Sequence, residues 1–232
     1  PIWYGFAQDL AIGVNNNFIP YEPWASGIRG ADVSAVFANR ATPSSQRSFT
    51  VTLSQNSAAL SSVAYSAKDD KYFAVWFDDR FGTKATNQGG GPVLYGAYIK
   101  DNVPSAAVQL TTLPAPGGNG TGIASLSRAK VIFDGTKFFL VWTERVTDNN
   151  SLNQWNIRGR SFDPTTAAPS VDAAIVEISS RSYIEDDVVS VASDGTNRLV
   201  VWNQPQPGGR VGTIVGERIA INGDQLIDAA PF

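Results

Sequence analysis

One short apolar word, closed by tryptophan, returns along this chain. It reads YFAVW at 72–76, FFLVW at 138–142 and RLVVW at 198–202, with a weaker copy, PYEPW, at 20–24. An apolar residue, any residue and glycine follow each time: IRG at 28–30, LYG at 94–96, IRG at 157–159 and IVG at 214–216. Trp24, Trp76, Trp142 and Trp202 lie 52, 66 and 60 positions apart. Gly30, Gly96, Gly159 and Gly216 lie 66, 63 and 57 apart. A repeat at such a period marks one supersecondary unit copied in series. The 232 residues divide into four copies of about 58.

Each copy reads as four short strands. In the third, a strand near 126–133 leads into FDGTK (133–137), whose Asp-Gly supplies the positive φ of a tight hairpin turn. KFFLVW, WNIRGRSF (155–162) and AAIVEIS (173–179) follow. The last copy runs VVSVA, the turn SDGTN, RLVVW, TIVGERIAI and QLIDAAPF. The second has SSVAYS, the turn KDDK, YFAVW, VLYGAYI and VQLTTL. The first has LAIGV, NNN, FIPYEPW, IRGADVSAVF and FTVTLS, with Pro20 and Pro23 inside its second strand. β-Branched and aromatic residues fill the runs, and Gly, Pro, Asn and Asp fill the gaps. No segment keeps a helical period. Runs as apolar as FFLVW suit strands covered on both faces.

The expected architecture is therefore all-β: a single β-propeller domain over 1–232, with four-stranded antiparallel blades at about 1–56, 57–114, 115–180 and 181–232. A two-sheet sandwich is the alternative, and one word recurring at one spacing counts against it. The chain opens on an inner strand and closes on an outer one. Four blades then close by face packing, PIWYGF at 1–6 contributes to closure, or the chain is part of a longer propeller.

The motif SDGTNRLVVW (193–202) followed by IVGERIAINGDQL (214–226) resembles a bacterial propeller-type repeat found in secreted and surface proteins. The third copy, FDGTKFFLVW with IRGRSFDP, matches well, the second fairly, and the first is degenerate. The resemblance implies the propeller fold and a secreted or cell-surface location. It implies little about function, since propellers host enzymes, lectins and scaffolds alike.

Absences narrow the chemistry. The chain has no Cys, Met or His, so disulfides, thiolate or imidazole metal sites and His-based triads are excluded. A net charge of −3 argues against a nucleic-acid partner held by bulk charge. No run of 18 apolar residues predicts a membrane span, and no basic segment at Pro1 predicts a signal peptide within the chain.

Three sets of residues are candidates for function. Trp76, Trp142 and Trp202 repeat at one position and read as inter-blade packing rather than sugar platforms. Unrepeated aromatics, Trp155 above all, with Trp3, Tyr4 and Tyr183, are the better ligand contacts. The loops after the blade tryptophans place Asp78, Asp79, Arg80, Glu144 and Arg145 at equivalent points, as a polar recognition rim or a glycosidase carboxylate pair. Ordinary ion pairing between blades is the plainer reading. Fifteen residues before each tryptophan stand Asp9, Ser61, Ser127 and Asp187. In a propeller these ring one mouth of the central channel, where Asp9 and Asp187 would suit a hard cation such as Ca²⁺. A water-filled channel is the alternative.

The first expectation for function is a non-catalytic extracellular module binding carbohydrate or another cell-surface ligand. The second is a self-associating structural subunit of an extracellular layer or filament. The third is a carboxylate-based glycoside hydrolase or lyase, placed last because four narrow blades leave little room for a deep pocket.

Overall fold

A computed structural model describes residues 11–12, 16–21, 32–39, 47–53, 58–78, 93–101, 103–111, 122–147, 153–179, 189–205 and 212–232. Side chains are described at 62–78, 93–101, 103–111, 129–144, 156–179, 189–204 and 212–232. The protein is all-β, and its strands pair antiparallel throughout the described residues.

Four sheets follow one another along the described chain. The first holds β1 (Ala11–Ile12), β2 (Asn16–Tyr21), β3 (Asp32–Asn39) and β4 (Arg47–Leu53). The second holds β5 (Ala58–Ser66), β6 (Lys71–Asp78), β7 (Val93–Lys100) and β8 (Val103–Pro104), with β9 (Val108–Gln109) also on β7. The third holds β10 (Gly122–Phe133), β11 (Phe138–Thr147), β12 (Asn153–Phe162) and β13 (Val176–Ser179). The fourth holds β14 (Val189–Ser193), β15 (Asn197–Pro205) and β16 (Gly212–Ala220). Each sheet is a meander in which successive strands pair, except that β9 returns to β7 beside β8. In the first, Pro20 sits opposite Ala35, and the described pairs of β2 with β1 lie at Asn17 and Phe18.

The Asp-Gly turns form as their chemistry requires. Asp134 Oδ1 accepts from the backbone N–H of Thr136 and Lys137, at 2.9 and 2.8 Å, and Gly135 takes φ of 99°. Asp194 repeats this with Thr196 and Asn197, both at 2.7 Å, and Gly195 takes φ of 86°. A side-chain oxygen that mimics a backbone acceptor is why aspartate opens such turns.

Because side chains alternate across a strand, each sheet offers two faces, and consecutive sheets stack through them. Phe73 and Val75 of the second sheet pack against Phe138, Leu140 and Trp142 of the third. Phe139 and Val141, on the third sheet's other face, pack against Val200 and Trp202 of the fourth. Trp76 lies on the opposite face of its sheet, with Tyr72, Ala74 and Tyr95. All three tryptophans are buried; Trp142 packs between the second and third sheets and Trp202 between the third and fourth, as expected of a repeated framework residue.

The repeated glycine has an equally local reason. A methyl group at Gly96 would lie 2.6 Å from the Phe73 ring and 2.8 Å from Leu110. At Gly159 it would lie 2.5 Å from Phe139 and 3.2 Å from Ile178. At Gly216 it would meet Phe232 at 3.2 Å and Leu199 at 3.3 Å. Each glycine thus seats one side chain from the second strand and one from the outer edge. The C-terminal segment supplies that edge in the fourth sheet: Leu226 bridges to Ile219, and Phe232 and Gly216 exchange two 3.0 Å backbone hydrogen bonds. QLIDAAPF therefore occupies the fourth-strand place, as a short bridge rather than a full strand.

Candidate functional site

The strands run further past the blade tryptophans than expected. β6 continues to Asp78, β11 to Thr147 and β15 to Pro205. Asp78 and Glu144, each two residues beyond its tryptophan, therefore belong to strands and are buried, not carried on an open loop rim. Being two residues on, each shares a face with its tryptophan. Trp142 donates its indole N–H to Glu144 Oε2 at 3.1 Å, and Trp76 donates to Asp78 Oδ2 at 3.4 Å. A buried indole N–H needs an acceptor, and the carboxylate at the second residue supplies it. In the fourth sheet Gln204 stands at that place, and Trp202 Nε1 is buried with no hydrogen-bond partner.

Among the described site residues, Glu144 has a carboxyl shifted from its ordinary range. Only 1% of its surface is exposed. Burial pushes its carboxyl above the ordinary range, against the opposing pull of the Arg158 charge and the Trp142 hydrogen bond. Arg158 Nε stands 2.9 Å from Glu144 Oε1 as an ion pair, without the alignment of a hydrogen bond. Arg158 also reaches Glu177 on β13, 3.8 Å away and 54% exposed. Asn156, the register partner of Glu144, is buried with its Oδ1 unpaired. The arrangement is a line of charge, Glu144–Arg158–Glu177, running from the interface between the second and third sheets to solvent. A carboxyl raised by burial, linked through Arg158 to an exposed carboxylate, is a pairing in which acid and base roles can be divided.

Sequence reasoning placed Glu144 but passed over its partners. Arg158 lies inside the IRG word, whose repeated element is the glycine. Arg145 and Trp155 are register partners on β11 and β12, their side chains outside the described set. Asp79, Arg80, Asp9 and Asp187 lie outside the described residues, so the proposed Ca²⁺ position falls there too. Among the described residues no three acidic groups converge as a metal site, and no helix is long and apolar enough to cross a membrane.

No family model and no curated protein matches the chain. Among solved structures it is similar to a GH43 endo-arabinanase from Bacillus licheniformis, with 10% identity and a TM-score of 0.46 over 94% of this chain and 74% of that one. A levansucrase of B. megaterium matches at 10% identity and 0.48, over 97% and 70%. A Hadza microbial sialidase matches at 12% identity and 0.44, over 94% of this chain and 57% of its own. All three are β-propeller proteins. These neighbours bear the names of enzymes, against the expectation of a non-catalytic carbohydrate-binding module.

Proposed function

We propose that the chain is a carboxylate-based glycoside-processing enzyme, a hydrolase or lyase acting on extracellular glycans, with its four sheets forming blades of about 58 residues in one β-propeller. One observation carries the catalytic reading. Burial raises the Glu144 carboxyl above the ordinary range of a glutamate, and Arg158 joins it to the exposed Glu177. Glu144 is the proton donor in this scheme, and Glu177 is the carboxylate that faces solvent and substrate. A general acid works best when its pKa approaches the working pH, and burial moves Glu144 that way. Arg158 positions the two carboxyl groups. The resemblance to secreted bacterial repeats supports a substrate outside the cell.

The indole–carboxylate pair favours a second reading, in which Glu144 and Asp78 serve only as acceptors for buried tryptophans. Glu144→Gln separates the two, because glutamine still offers an oxygen to Trp142. The assay is turnover of a panel of aryl glycosides and plant, levan and sialyl oligosaccharides by the intact chain, alongside melting temperature. Catalysis by Glu144 predicts at least a hundredfold loss of kcat with a near-native melting temperature, since general acid–base help is worth about 10²–10⁴-fold. Turnover unchanged in Glu144→Gln, or absent from the parent across the panel, would assign the carboxylates to packing.

A further inference from the structure

Asn222 stands directly before Gly223 in the turn that leads from β16 to the C-terminal segment. This turn is fastened at its base and open at its tip. Ala220 donates its backbone N–H to the Gln225 carbonyl at 2.8 Å, and Ile221 donates to the Thr196 carbonyl at 3.2 Å. At the tip Asn222 and Gly223 are both exposed, and no backbone carbonyl among the described residues accepts the Gly223 N–H. Gly223 takes φ of 86°, and around the place a side chain would hold, nothing lies nearer than Gln225 at 3.9 Å.

The next residue is tied to the interior. Asp224 takes φ of 54°, a left-handed conformation that few residues other than glycine adopt. Its Oδ1 accepts from Arg198 Nη1, and Ser161 Oγ donates to the same oxygen at 2.9 Å. Arg198 is fully buried. An exposed, unfastened Asn-Gly step thus lies two residues from an anion that meets a buried cation.

We propose that Asn222 is a site of spontaneous covalent modification, converting through a cyclic imide to aspartate and isoaspartate, and that the isoaspartate form loosens Asp224 from Arg198. The Gly223 nitrogen attacks the side-chain carbonyl carbon of Asn222. The new N–C bond closes a five-membered ring. The bond from that carbon to the side-chain amide nitrogen breaks, and the nitrogen leaves as ammonia with the proton from Gly223. Water then opens the ring. Cleavage at the side-chain carbonyl restores the ordinary peptide bond and leaves aspartate. Cleavage at the backbone carbonyl leaves the chain running through the side chain, as isoaspartate. Glycine suits the attacking position because no Cβ crowds its nitrogen and its backbone turns freely. Isoaspartate adds a carbon to the backbone just before the two left-handed residues that aim the Asp224 carboxylate, so that carboxylate is drawn off Arg198. The site is independent of the catalytic reading, since none of its residues belongs to the Glu144 line.

The test is ageing of the full chain in mildly alkaline buffer, for the parent and Asn222→Gln, beside a free peptide of residues 219–227. Peptide mapping reads Asn222 separately from the chain's other Asn-Gly step at Asn119, and methyl transfer by an isoaspartyl methyltransferase scores isoaspartate. Asn222 should convert within about tenfold of the free peptide's rate, because exposed turns open at little cost. The isoaspartate fraction of the aged parent should then show a folding constant about tenfold lower in urea, the value of a hydrogen bond to a charged group. Aged Asn222→Gln should keep its midpoint, and ageing should cost Arg198→Ala less than the parent, since the cation is already gone. Asn222 still intact when the peptide has converted would overturn the site. Equal losses on ageing in the parent and Asn222→Gln, or in the parent and Arg198→Ala, would overturn the link to Arg198.

Discussion

Arg198 and Asp134, 64 positions apart in sequence, meet across the boundary between the third and fourth sheets, Nε to Oδ2 at 2.8 Å. Arg198 is fully buried. Its Nη2 also donates to Asp134 and to Ser161, its Nη1 pairs with Asp224, and its guanidinium lies 4.1 Å over the Phe139 ring. A buried cation is tolerated only when its donors are met, and here two carboxylates, a hydroxyl and a ring face meet them. Removing one partner of such a pair costs about 3–5 kcal/mol, because the remaining charge is left buried and uncompensated. Arg198→Ala should lower the urea midpoint by that much stability with an unchanged m-value. A loss under about 1 kcal/mol, the range of exposed pairs, would show that the network contributes little.

The same pair sets an acid limit. Burial alone would raise the Asp134 carboxyl. The backbone N–H groups of Lys137 and Thr136, together with Arg198, outweigh it and hold Asp134 below the ordinary aspartate value. A depressed carboxyl stabilises the fold above its unfolded value of about 3.9, and that stabilisation is lost as pH falls through the folded value. Urea midpoints of the parent and Asp134→Asn should therefore converge below about pH 3.9. A gap that stays constant down to acid unfolding would contradict this assignment.

Glu144 has the opposite sign. Its raised carboxyl favours the fold fully below the unfolded value of about 4.3, and that advantage is lost as pH rises through the higher folded value. Relative to Glu144→Gln, the parent should lose stability as pH rises from about 4.3 towards neutrality. If Glu144 is the proton donor, kcat falls over the same window as the proton leaves. A kcat flat through the interval, while the stability difference moves as expected, would separate the buried carboxyl from the chemistry.

The tryptophans allow a paired comparison. Trp142→Phe strands Glu144 Oε2 by removing its donor, whereas Trp202→Phe removes an indole N–H that has no partner. An unsatisfied buried polar group costs about 1–3 kcal/mol. Trp142→Phe should therefore be the more destabilising change by roughly that amount in thermal or urea unfolding. Equal losses would mean that the indole–carboxylate bond carries little of the tryptophan's value.

At Gly159 a methyl group meets the Phe139 ring at 2.5 Å inside the packed third–fourth interface, so Gly159→Ala should cost about 1–3 kcal/mol by overpacking. Phe139→Leu, by shortening the side chain, should recover part of that loss in the double variant. At Gly135 nothing lies within 4 Å, and only its φ of 99° resists a side chain, so Gly135→Ala should cost about 1 kcal/mol. Additive losses at Gly159 and Phe139 would remove the steric reason given for the repeated glycine.

Much of the fold was legible because its determinants are local. Asp-Gly turns, alternating apolar runs and a glycine beside an aromatic each act within a few residues, and FDGTK and SDGTN folded as read. The placing of Trp142 and Trp202 between sheets followed from their repetition alone. What escaped depends on pairing between distant segments. Arg198 opens a strand as an ordinary polar residue would, and nothing near it marks Asp134, Ser161 and Asp224 as its partners. Asp78 and Glu144 follow the tryptophan that closes the apolar run, where the sequence pattern ends a strand, whereas the neighbouring indole N–H gives each a reason to be inside. Arg158 and Glu177 come together only through the β12–β13 register.

Two cationic clasps end on the third sheet. Lys71 crosses from the second sheet to the carbonyls of Pro164 and Thr166, in the chain between β12 and β13, while Arg198 arrives from the other side. Coupling in a serial stack passes between nearest neighbours. The third sheet is then the keystone of the described stack. Fraying of the fourth should leave the second and third joined, whereas melting of the third should release both neighbours at once. Hydrogen exchange along the chain should accordingly rank β11 and β12 as the last amides to open.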